Sequence, residues 1–99
     1  MSSRNDATIA FPVNGGTQSV AYTATSGVIT TAVGAQTRRV SIYATTACHV
    51  RFDGAPTAVT SDFYLPITTR VVLAIRPGQK VAAVQATAGG TIYVSELDY

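Results

Sequence analysis

The chain has 99 residues, a formal net charge of +2 and only 12% charged side chains. That length fits one domain, the hydrophobic content excludes a disordered composition, and the small charge gives no basis for nucleic-acid binding. No apolar run reaches the roughly 18–20 residues that span a bilayer.

In chain order, residues 1–16 read as an N-terminal arm. Ile9, Ala10, Phe11 and Val13 form a short apolar patch, broken by Pro12 and stopped by Asn14-Gly15-Gly16. A frayed terminus is one reading. Exposing Ile9 and Phe11 is unfavourable, so packing on the domain or on a neighbouring subunit is the other. Residues 17–99 then form the folded domain. Residues 17–25 alternate, with Val20, Tyr22 and Ala24 on one side. Ser26-Gly27 is a turn signal, and residues 28–33 make a second strand ended by Gly34-Ala35-Gln36. Residues 38–45 alternate cleanly: Val40, Ile42 and Ala44 face one way, Arg39, Ser41 and Tyr43 the other. In residues 48–52, Cys48, Val50 and Phe52 face in, while His49 and Arg51 face out. Asp53-Gly54 is a turn.

Residues 57–66 are the least regular, with a short edge strand before Pro66, which has no N–H to donate. Residues 70–76 are apolar on both faces between two arginines. Arg76-Pro77-Gly78-Gln79 has the chemistry of a type II turn, so residues 80–86 are expected to pair back on 70–76 as a hairpin. Ala88-Gly89-Gly90 turns again, and residues 91–97 are the last strand. The expected fold is all-β: one β-sandwich or jelly-roll-like domain of seven to eight short antiparallel strands with an N-terminal arm. The expected core holds Val40, Ile42, Val50, Phe52, Leu73, Ile75, Val84, Ile92 and Val94.

The residues offer no catalytic set. Cys48 and His49 are the only residues of their types, and neighbours on a strand point to opposite faces. They fall short of a four-ligand zinc site. Glu96 and Asp98 share a face at the chain end without a groove, which reads as a solvated edge rather than a hydrolytic pair. No enzyme activity, cofactor or metal is expected. Arg39, Arg51 and Arg70 are candidates for one shared face, against the plainer reading that they pair with carboxylates. Tyr43 and Tyr93 lie out of phase with the β-branched residues of their strands and are candidates for an exposed aromatic pair. The opening Met1-Ser2-Ser3-Arg4-Asn5-Asp6 lacks the basic-then-apolar order of a signal peptide, so a cytoplasmic origin is expected.

The block from Thr37 to Phe52, with Phe63-Tyr64-Leu65-Pro66, the run from Pro77 to Ala86 and the run from Gly90 to Leu97, resembles small virion structural proteins of tailed bacteriophages. These include small all-β capsid decoration, or cement, proteins. The resemblance covers about two thirds of the chain and carries no catalytic signature. It implies a β-sandwich or jelly-roll module, often trimeric, made in the bacterial host cytoplasm and attached to the major capsid protein or another virion protein. The residues expected at assembly contacts are Ile9, Phe11, Val13, Arg39, Tyr43, Arg51, Tyr64, Arg70 and Tyr93. Three roles are open: a decoration protein on the head shell, a carbohydrate- or receptor-binding fibre tip, and a head–tail connector or tail component. Neither nucleic acid nor membrane is an expected partner.

Overall fold

β-Branched residues in alternation, cut by turn signals every few residues, produce strands throughout. A computed structural model describes residues 11–98. They form β1 (Phe11–Tyr22), β2 (Gly27–Val28), β3 (Arg39–Ala44), β4 (Cys48–Asp53), β5 (Phe63–Leu65), β6 (Arg70–Ala74), β7 (Lys80–Gln85) and β8 (Gly90–Asp98), with no helix among the described residues. All pairings are antiparallel. One sheet, called A, has the order β1-β8-β3-β6, and the other, B, has the order β2-β7-β4-β5.

First pairs with last throughout: β1 with β8, β2 with β7, β3 with β6 and β4 with β5. The chain is thus one long hairpin whose two arms cross together from sheet to sheet. Only β4 and β5 are both consecutive and paired. The hairpin expected across Pro77-Gly78 is therefore corrected, because β6 lies in sheet A and β7 in sheet B. The turn itself forms as its residues dictate. Gly78 has φ +84°, and the Gln79 N–H donates to the Arg76 carbonyl at 3.2 Å. What the turn chemistry cannot say is whether the next strand returns beside the last or crosses to the other layer.

The core lies between the sheets. Tyr22, Val40, Ile42, Ala44, Ile92 and Val94 come from sheet A, and Cys48, Val50, Leu65, Val81 and Ala83 from sheet B. Ile29, Val33 and Ile75 plug it from the connections. Six of the nine expected core residues belong to it; Phe52 and Leu73 only lean on its margin, and Val84 is buried on the other side of sheet B. Val84 was assigned to the wrong face because β7 is apolar on both, each face being covered.

Side chains fasten the irregular parts. β2 is short, but the chain beyond it still runs along β7, through Ile29 N–H to Val81 O and Val33 N–H to Gln79 O. The Gln18 amide spans the gap to this segment, donating to Thr31 O at 2.8 Å and accepting from Thr31 N–H at 3.1 Å. Glu96 accepts from Gly34 N–H at 3.0 Å and from Thr37 Oγ1 at 2.5 Å. It is a structural clamp, which corrects the reading of a solvated edge. The expected arm lies partly outside the described residues. Its stretch from Phe11 onward belongs to β1, where Phe11 and Pro12 pair with Asp98 and Leu97. Asn14-Gly15-Gly16 is not a stop but an irregularity between Pro12 and Thr17, with Gly15 at φ +73°.

Candidate docking face

The two outer faces of the layers differ in what covers them. On sheet B, residues 54–62 between β4 and β5 fold back over the strands. Ala58 packs with Ala82 and Val84 in a small buried cluster, and its N–H donates to Ser26 Oγ at 2.9 Å. Asp62 locks the loop. Its carboxylate takes Nε and Nη2 of Arg51, each at 3.0 Å, and the Val59 N–H at 2.9 Å. The His49 Nδ1–H donates to the Asp62 carbonyl at 3.1 Å. The Val59 N–H, with Arg51 second, holds the Asp62 carboxyl below its ordinary value because both stabilise the anion.

The outer face of sheet A has no such cover among the described residues. Antiparallel register sets its side chains in rows. Ser19, Tyr93, Tyr43 and Arg70 stand side by side across β1, β8, β3 and β6, and Thr17, Ser95, Ser41 and Val72 form the next row. Tyr43 is directly opposite Tyr93, a relation that brings Cβ atoms to about 4.5–5.5 Å. Tyr93 is 43% and Val72 47% exposed. Thr17 Oγ1 and Ser95 Oγ share a hydrogen bond of 3.0 Å. A shallow depression of about 240 Å³ is lined by Ser41, Tyr43, Arg70, Tyr93, Ser95 and Leu97.

Of the residues expected at contacts, Arg39, Tyr43, Arg70 and Tyr93 come together on this face. Arg51 and Tyr64 do not. They lie on the outer side of sheet B, where Arg51 is bound to Asp62 and the Tyr64 ring sits 5.4 Å from that of His49. The idea that Arg39, Arg51 and Arg70 share a face is therefore corrected: β3 and β6 belong to one sheet, β4 to the other. Ile9 lies outside the described residues, and of Phe11 and Val13 only the backbone is described, within β1. Ser41 was readable beside Arg39 and Tyr43, whereas Val72, Ser95 and Leu97 were not singled out from sequence. Ser95 and Leu97 follow Tyr93 at alternate positions, so the period-2 rule applied to β8 finds them.

This face carries aromatic rings, hydroxyls and guanidinium groups. The thiol that could act as a nucleophile is elsewhere: Cys48 is fully buried, and desolvation raises its pKa. Among the described residues no three His, Cys, Asp or Glu side chains come together, and no helix is long and apolar enough to cross a membrane. Comparison with family models, curated proteins and solved structures returned no match.

Proposed function

We propose that this chain is a non-enzymatic structural protein of a bacteriophage virion. Its role in this proposal is that of a capsid decoration protein, docked on the head shell through the outer face of sheet A. The observation that carries it is the contrast between the two faces. The loop of residues 54–62 covers part of sheet B, where Val28 stays 40%, Val59 44% and Tyr64 51% exposed, whereas sheet A has no covering segment among the described residues and presents Tyr43 opposite Tyr93 beside Arg70 and Val72. Aromatic residues and arginine are the types enriched where proteins meet. The strand order supports the same reading. We take the bent hairpin of nested pairs as a jelly roll, an eight-stranded architecture used in viral capsid and lectin domains. Fold alone does not set function, so the weight rests on the face.

The lectin-like use has one observation in its favour. Two tyrosines and the hydroxyls of Ser41 and Ser95 border one depression, which suits a sugar ring in a fibre tip. Binding to undecorated heads separates the two. The Tyr43→Ser/Tyr93→Ser protein should still fold cooperatively, with a Tm lowered by the lost cross-strand pair, and lose head binding. Full occupancy by that variant contradicts the docking face. Binding of the original protein to glycans, and not to heads, assigns the fibre role instead.

A further inference from the structure

The two flanks of the layered domain are built differently. On the β1/β2 side the Gln18 amide bridges the gap to Thr31. On the other side β5 and β6 are the terminal strands of their sheets, and the gap between them opens into a cavity of about 280 Å³ lined by Val50, Phe52, Phe63, Leu73 and Ala74. A broader hollow of about 480 Å³ borders the same strand on its outer side, with Arg38, Arg39 and Val72 in its lining. Phe63 is 48% and Ile67 55% exposed on or beside this flank.

β6 has none of the devices that keep an edge strand from pairing. Arg70-Val71-Val72-Leu73-Ala74 contains no proline, its register with β3 runs without a bulge, and its inward residues are Val71 and Leu73, not charges. Its single charge is at one end.

We infer that β6 pairs edge to edge with β6 of a second copy of this chain, antiparallel about a twofold axis at Val72. The strand is self-complementary in that register. Val72 meets Val72, Val71 meets Leu73, and Arg70 meets Ala74, so the two arginines stand at opposite ends of the ladder. Ile67 precedes the strand and then lies at the Ala74 end of the other copy's β6, where the cavity opens. Each copy thus offers an apolar knob to the other's hollow. The knob is held by strained backbone. Thr68 is β-branched yet has φ +53°, a conformation kept only where its surroundings impose it. Here its N–H is tied to Ala44 O at 3.2 Å, and its hydroxyl and that of Thr69 both donate to Ile67 O. The paired sheets make one continuous eight-stranded layer with two Tyr43–Tyr93 pairs on the same side.

Sedimentation of the full chain at micromolar concentration should show a dimer, and Val72→Lys, which sets two ammonium groups side by side at an exposed position, should make it monomeric with an unchanged circular dichroism spectrum. Mild oxidation should cross-link Val72→Cys, but not Ser19→Cys on the far edge of the sheet; Cys48 is buried and stays out of the reaction. A monomer with no cross-link, a dimer indifferent to Val72→Lys, or equal cross-linking at both positions would each overturn the pairing.

Discussion

Removing one oxygen from Tyr22 should be costly. The ring is 1% exposed, and its hydroxyl donates to Thr46 O at 2.6 Å, lies 2.8 Å from Thr46 Oγ1 and receives the Thr46 N–H at 3.3 Å. Thr46 Oγ1 in turn donates to Ala88 O at 3.1 Å. One hydroxyl therefore ties β1 to the β3–β4 turn and, through Thr46, to the turn before β8. Gly90 belongs to the same knot: a Cβ there would collide with the hydroxyls of Tyr22, Thr45 and Thr46. Tyr22→Phe keeps the ring and the packing but leaves the Thr46 N–H and carbonyl without this partner. An average hydrogen bond nets about 1 kcal/mol, and a buried group left unpaired costs about 1–3 kcal/mol. Thr46 is only partly buried, so water recovers some of that, and the expected loss is about 1.5–2.5 kcal/mol. In a domain of this size that lowers Tm by on the order of 10 °C. Thermal unfolding followed by circular dichroism reads it, with Tyr64→Phe, an exposed phenol, as the control expected to change little. A Tm within about 2 °C of the original for Tyr22→Phe would mean that the knot contributes no net stability.

Gly78→Ala should destabilise by about 1–2 kcal/mol. Nothing lies within 4 Å of the added methyl, so backbone strain alone sets the cost, and an unchanged melting curve would remove it. The loop over sheet B should open in acid. The Asp62 pKa is lowered in the folded state, so its contribution is present above the unfolded carboxylate value, about 4, and is lost as pH falls through the lower folded one. The protection of the Val59 amide from hydrogen exchange, relative to the intrinsic rate at each pH, should fall over that range in the original protein and be low at every pH in Asp62→Ala. Cys48 should resist alkylation until the chain unfolds, because burial and a raised pKa both suppress the thiolate. Rapid labelling in buffer would contradict the burial.

Most of the strands were legible, because period-2 alternation and turn residues are local signals, but the first half of β1 read as an arm and only Val28 of residues 28–33 lies in β2. Each of the eight expected segments overlaps a strand, and the inward face of β3 follows from Val40, Ile42 and Ala44 alone. Pairing was not legible. Arg76-Pro77-Gly78-Gln79 specifies a corner, and the same corner serves a hairpin or a crossing between layers. The choice lies in partners far along the chain, since β6 pairs with β3 and β7 with β4. The same gap explains Arg51. Its outward direction was readable from Cys48, Val50 and Phe52, but which sheet it decorates was not. Tyr43 and Tyr93 were each readable as outward-facing, while their direct opposition depends on the β3–β8 register. Phe52 alternates as a core residue should, yet stands at the open flank, so Phe52→Ala should cost less than the 3–5 kcal/mol or so of a fully buried ring.

The most direct test of the proposed docking is a cryo-EM reconstruction of phage heads incubated with this chain. Copies should be spread over the outside of the head shell, with the outer face of sheet A against the shell and the Tyr43–Tyr93 pair covered. The loop of residues 54–62 should face solvent. A few copies at fibre tips or at the head–tail junction, or shell-bound copies with Tyr43 and Tyr93 turned to solvent, would contradict it.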